Sequence, residues 1–258
     1  MNNKCNLPDT QNSPDMRNIV INKVGIKDIK YPFDFIDNGI SQSTIGQWTM
    51  GVELPDTVKG THMSRFIEIL NAKKVIFSLG SFEDLLFETK KKLETNNVFI
   101  DVNFSTFVQK TAPISKAKSL LDYQVFIEGS LHKENIEVYC KVIIPVTSLC
   151  PCSKKISEYG AHNQRSHITL KVLYFDGLSV KSLIDIAEKS ASSQLYAILK
   201  REDEKFVTEE AYKNPAFVED LVRDIAVTLN EMDIQHYKIE SENFESIHNH
   251  SAYAMIEK

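Results

Sequence analysis

Apolar and polar residues alternate along several long stretches of this chain, and the order of those stretches is nearly the same in each half. That order constrains the fold more than any other feature. Period-two alternation marks a strand with one buried face, and spacing near 3.6 marks a helix with one buried stripe. In the first half a strand-like segment at 19–29, ended near Pro32, precedes alternation through Ile45, Trp48, Met50, Val52 and Leu54. Past Pro55 and Gly60 the period changes, and Met63, Phe66, Ile67 and Leu70 fit one helical face. Ser81 is placed to cap a second helix that points Phe82, Leu85, Leu86 and Leu93 inward. Strands follow at 98–108 and 121–128. The second half offers strands at 136–146 and 166–175, helices at 180–199 and 217–229, and strands at 234–240 and 251–256. Each half thus reads β-β-α-α-β-β.

Phe82-Glu83-Asp84-Leu85-Leu86 is faintly echoed by Val218-Glu219-Asp220-Leu221-Val222, in keeping with a duplication. Two antiparallel sheets, each covered on one face by a helix pair, make an α+β protein. The expected division is a flexible arm over 1–18, a first unit over 19–132 and a second over 133–258. Open sheet edges have to be covered or paired, so association between subunits is expected.

Composition excludes several function classes. At 258 residues, 42% hydrophobic and 25% charged, the chain can bury a substantial core. A net charge of −5 argues against broad nucleic-acid binding, which usually shows as a basic face. Among the 9 glycines none are spaced G-x-G and none precede a lysine, so dinucleotide and P-loop fingerprints are absent. No apolar run is long enough for a membrane helix, and the polar start carries no signal-peptide pattern. A cytoplasmic location is expected, with its 4 cysteines reduced.

The densest chemistry lies at Thr147-Ser148-Leu149-Cys150-Pro151-Cys152-Ser153-Lys154, directly after an apolar strand. His162 follows, in Tyr159-Gly160-Ala161-His162-Asn163-Gln164-Arg165. Thiolate and imidazole are preferred ligands of zinc-like ions, and so few ligands suit an open catalytic site better than a closed structural one. The same residues also suit a plain turn with two reduced thiols and a surface histidine. Glu245-Ser246-Ile247-His248-Asn249-His250 can bind metal or move protons, or be an acidic loop without a role. If it runs into the last strand, both histidines share a face. Lys200-Arg201-Glu202-Asp203-Glu204-Lys205 reads as a solvated loop from which one carboxylate can reach a metal. His62 and Arg65, in Lys59-Gly60-Thr61-His62-Met63-Ser64-Arg65-Phe66, sit at a helix start, where anions are favoured. Glu219, also at a helix start, suits either the amidine-like edge of guanine or the helix dipole. Cys140 reads as a core thiol, Trp48 as a packing residue, and Cys5 falls in the arm.

Taken in order, these segments, with Phe217-Val218-Glu219-Asp220 and the run through Ser251-Ala252-Tyr253, resemble the type IB GTP cyclohydrolase I family of prokaryotes. The likeness runs from about Asp9 to the C-terminus. One departure is Arg201-Glu202-Asp203, where Arg-Pro-Asp is expected. The resemblance implies a tandem tunnelling fold and a homotetramer with active sites between subunits. It implies GTP as substrate, with formate and 7,8-dihydroneopterin triphosphate as products, opening tetrahydrofolate and deazaguanine synthesis. It implies one divalent ion per site (zinc, manganese or iron) on Cys150, His162 and Glu204, with His250 able to replace one of them. Cys152 would be a thiol facing the substrate, Glu219 the guanine anchor, and Glu245, His248 and His250 the proton-transfer groups. His62 and Arg65 would bind substrate, with Lys59, Lys110, Lys154 and Arg165 as further cations for the triphosphate. The alternatives are another tunnelling-fold enzyme acting on pterins or deazaguanines, or a metal-stabilised assembly module without catalysis.

Overall fold

The computed structural model describes residues 10–11, 13–72 and 75–258. Cys5, Pro8 and most of the predicted arm lie outside the described residues. The part of the arm that is described pairs with a turn: Lys59 N donates to Ser13 O at 3.1 Å and Asp15 N to Thr57 O at 3.2 Å.

The first half contains β1 (Ile21–Asp37), β2 (Ile40–Leu54), α1 (Met63–Ala72), β3 (Ile76–Phe77), α2 (Phe82–Leu93), β4 (Asn97–Thr111) and β5 (Lys118–His132). The second contains β6 (Asn135–Leu149), α3 (Pro151–Ile156), β7 (Asn163–Leu173), α4 (Val180–Ser190), β8 (Ser193–Gln194), α5 (Arg201–Lys213), α6 (Val218–Glu231), β9 (Tyr237–Asn243) and β10 (Ala252–Glu257). Instead of two sheets there is one, ordered β10-β9-β7-β6-β5-β4-β2-β1-β3, with β8 beside β6. The halves join where β5 pairs antiparallel with β6, from Gln124↔Ile143 to His132↔Asn135.

The helices cover one face of this sheet. Inward positions along the long strands are apolar: Val98, Ile100, Val102 and Phe104 on β4, then Val138, Cys140, Val142, Ile144 and Val146 on β6. The intervening residues face away from the helices and are mostly polar, the pattern of a half-solvated antiparallel sheet. Trp48 packs edge-on to Phe33 at 5.3 Å, and burial pushes the Cys140 thiol far above its ordinary pKa. Gly129 lets α2 approach β5, because a Cβ there would meet the Phe82 ring at 2.6 Å.

Several local expectations change. Ile45 lies an odd number of residues from Trp48, so it falls on the outer face and is 65% exposed. β1 continues through Pro32, which a strand with only the two-residue β3 on its far side tolerates. Ser81 makes no side-chain cap; its Oγ accepts from Ser78 N at 2.9 Å instead. The helix expected over 180–199 stops at Ser190, and the charged segment after Lys200 is not a loop but the start of α5.

Candidate active site

β6 ends at Leu149, and the chain is pinned there from two sides. Leu149 N donates to Ser192 Oγ at 3.0 Å, while Leu149 O accepts from Ala216 N at 3.1 Å. Cys150 follows as the N-cap of α3, with Pro151 in the first helical position, where its missing N–H costs nothing. Ser153 N donates to Cys150 Sγ at 3.4 Å and orients the sulfur. Cys150 N donates to His162 O at 3.1 Å, so the thiol and the imidazole start from directly bonded backbones. Ser153 Oγ accepts from His162 N at 3.2 Å and closes the turn. Cys152, two residues on, is exposed.

The C-terminal cluster reaches the same place within one chain. Ser246 Oγ lies 3.3 Å from His162 Nδ1, which carries the loop with Glu245, His248 and His250 to the edge of the Cys150 turn. His248 and His250 precede β10 rather than lying in it, and their exposed rings stack at 5.1 Å. Glu219 is exposed in the first turn of α6, three residues past the Ala216 that bonds Leu149.

α5 meets the same end of the sheet through Asp203 rather than Glu204. Asp203 is fully buried and accepts from Ile114 N at 2.8 Å, Ser115 N at 2.9 Å and Lys200 N at 2.9 Å, and from Ser115 Oγ. Burial alone would raise its pKa, but the Ser115 hydroxyl and amide, with the other amides, hold it far below the usual carboxylate range. Glu204 is exposed.

His62 and Arg65 lie elsewhere. They line a cavity of about 350 Å³ with Val52, Leu54, Leu93 and Asn96. The register places that cavity at the opposite end of the strands. Val52 pairs with Val98 at the start of β4, whereas α5 and the Cys150 turn gather beyond its end. β4 is 15 residues long, which separates its ends by roughly 45 Å at about 3.3 Å per residue. No nucleotide bridges that distance, so one chain does not bring His62 or Arg65 to Cys150.

The family model for type I GTP cyclohydrolase folE2 matches residues 7–254. The chain belongs to the type I GTP cyclohydrolase FolE2 family. It is 60% identical over 255 residues to GTP cyclohydrolase FolE2 of Vesicomyosocius okutanii, covering 97% of each chain. It is 53% identical to GTP cyclohydrolase FolE2 of Azoarcus sp. (strain BH72), covering 98% of this chain and 95% of that one. Among solved structures, a urate oxidase mutant from Bacillus sp. TB-90 matches with TM-score 0.56 at 10% identity, over 92% of this chain and 99% of that one. That likeness shows the tunnelling fold alone.

The FolE2 family suggests a metal-dependent enzyme, and the donors at the Cys150 turn fit a borderline-soft divalent ion. A half-buried thiol and an imidazole whose Nδ1 meets Gln164 Oε1 at 3.0 Å sit on adjoining backbone. Among the described residues, however, no three His, Cys, Asp or Glu side chains of one chain converge to hold an ion. Glu204 is left out because its neighbour Asp203 takes the inward position on α5. Two of the cations suggested for the triphosphate are engaged elsewhere. Lys110 is buried against Glu188 at 2.6 Å and Gln194 at 2.7 Å, and Lys154 donates to Tyr212 O above the Tyr212 ring.

A polar bed beneath the site was not anticipated. Ser148, Gln164, Ser166, Ser241 and Asn243 are all buried at core-facing positions near the ends of β6, β7 and β9. The signal was present in the sequence: the inward series Val142, Ile144, Val146 turns to Ser148, and Leu170, Ile168 turns to Ser166 and Gln164.

Proposed function

We propose that this chain hydrolyses the purine ring of GTP at C8 and yields formate and 7,8-dihydroneopterin triphosphate. One observation carries the reading: the FolE2 match spans nearly the whole chain, and the motif residues of its second half gather at one end of the sheet. Two hydrolyses open the imidazole ring and release its carbon as formate. The ribose then rearranges and the pterin ring closes with return of one water.

Cys150 and His162 would hold the divalent ion, with Glu204 or His250 completing the set. When bound, such an ion would supply Lewis-acid chemistry, lowering the pKa of a water towards ~7. The chain's own residues do the rest. Glu219 accepts two hydrogen bonds from the guanine edge and fixes which carbon meets the water. His248 and His250 give and take protons at the departing ring nitrogen and the opening ribose, held in place by the loop that Ser246 ties to His162. Cys152, exposed two residues past Cys150, faces the substrate as a proton carrier.

The chain is a tandem of two tunnelling-fold units, 19–132 and 133–258. The strand order β3-β1-β2-β4-β5 in the first half matches β8-β6-β7-β9-β10 in the second. The working assembly is a homotetramer. His62 and Arg65, roughly 45 Å along the strands from Cys150, serve the triphosphate from a second copy together with Lys59, and Arg165 joins them from the Cys150 end of the first. The test is incubation of metal-loaded protein with GTP under anaerobic conditions, followed by oxidation and detection of fluorescent neopterin triphosphate. A pterin product that retains all three phosphates supports the reading; its absence removes it.

A further inference from the structure

His162 offers two ring nitrogens, and the chain has already committed one of them. Nδ1 lies 3.0 Å from Gln164 Oε1, an atom that can only accept. Gln164 Nε2 donates to Ser148 Oγ at 2.7 Å, and the same oxygen accepts from Ser166 Oγ at 2.9 Å. The Gln164 amide stands with its nitrogen towards Ser148 and its oxygen towards His162. In that orientation Nδ1–H donates to Gln164 Oε1, which leaves the Nε2 lone pair for a metal. Ser246 Oγ, 3.3 Å from Nδ1, is a second acceptor for the same proton.

The three residues of this relay are costly where they stand. Ser148 and Ser166 are fully buried and Gln164 is 8% exposed, at positions that continue the apolar faces of β6 and β7. Valine or isoleucine would pack there at less cost. The side-chain oxygens and the amide nitrogen of Gln164, Ser148 and Ser166 are each hydrogen-bonded, as a buried network requires.

We infer that Gln164, held by Ser148 and Ser166, is a positioning residue that locks His162 in the Nδ1–H form and aims Nε2 at the metal. This rests on the proposed metal role of His162. Outer hydrogen bonds of this kind fix the tautomer and ring orientation of ligating histidines, and their loss costs about tenfold to a hundredfold in metal affinity. Met keeps the volume of Gln164 but accepts no proton from Nδ1, whereas Glu keeps the acceptor.

The test uses the full-length protein and zinc alone, with affinity read by chelator competition, beside imidazole nitrogen NMR of the metal-free protein under conditions where the ring is neutral. Gln164→Met should bind zinc about tenfold to a hundredfold more weakly at unchanged circular dichroism. Gln164→Glu should retain most of the affinity. Metal-free wild type should show the Nδ1–H tautomer, and Gln164→Met a mixture. Wild-type affinity in Gln164→Met, equal losses in the Met and Glu variants, or an Nε2–H tautomer in wild type would overturn the inference. His162→Ala separates the two levels. If it loses zinc while Gln164→Met does not, the positioning role fails and the metal reading stands. If it binds zinc normally, both fail.

Discussion

Replacing Lys110 by methionine should destabilise the protein far more than a typical substitution. Lys110 of β4 donates to Glu188 of α4 at 2.6 Å and to Gln194 of β8 at 2.7 Å, with side-chain exposures of 9% for Lys110 and 3% for Glu188. Tyr123 of β5 donates to the other Glu188 oxygen at 2.7 Å; burial, and then this bond, raises its hydroxyl pKa far enough to keep the proton on. Lys110→Met leaves a buried carboxylate with one hydroxyl for company, and breaking such a pair costs about 3–5 kcal/mol. For a chain of this size each kcal/mol moves Tm by roughly 2–4 °C, so melting should fall by about 6–20 °C at fixed protein concentration. Adding Glu188→Gln should return about 1–3 kcal/mol relative to the sum of the single changes, since an uncharged partner still accepts from Tyr123. The effect should reach the site as well. Ser192, two residues past α4, holds the Leu149 amide beside Cys150, so exchange at that amide should quicken. Melting of Lys110→Met within about 2 °C of wild type, less than 1 kcal/mol, or strict additivity with Glu188→Gln, would refute the argument.

Cys150→Ala should lose bound metal and formate release together, as measured by metal analysis and a formate assay. Cys152→Ala should lose formate release while keeping metal and fold; full turnover would remove its role. Because the folded pKa of Asp203 is depressed, its stabilisation is present above the ordinary carboxylate value of about 3.9 and is lost as pH falls towards the folded value. Asp203→Asn should therefore be least stable relative to wild type at neutral pH, with the gap narrowing below about pH 4; a gap that does not change with pH in melting curves would contradict this. Co-expression of Arg65→Ala with Cys152→Ala should restore part of the activity that each lacks alone, because some sites would draw both intact residues from different copies. Two inactive variants that stay inactive together would confine the site to one chain.

Period-two alternation made the long strands legible. It could not show that β5 and β6 pair into one continuous sheet, because pairing partners depend on register and not on pattern. α5 escaped for a physical reason: only Asp203 and Ala211 of its 13 residues are buried, so it has almost no apolar stripe to detect. Its docking relies on one buried carboxylate, Asp203, hidden among charged neighbours such as the exposed Glu204. The Cys150, His162 and His248 segments were readable because each is dense in ligand chemistry. Gln164 and Ser148 were harder to see, since their meaning lies in being polar at inward positions. That His62 lies a strand's length from Cys150 follows only from the register.

The most direct measurement is formate released from GTP, counted against bound metal, as the ion is stripped and restored. The account predicts formate in step with occupancy, none from the stripped protein, and recovery on reloading. Undiminished formate release by metal-free protein would contradict it.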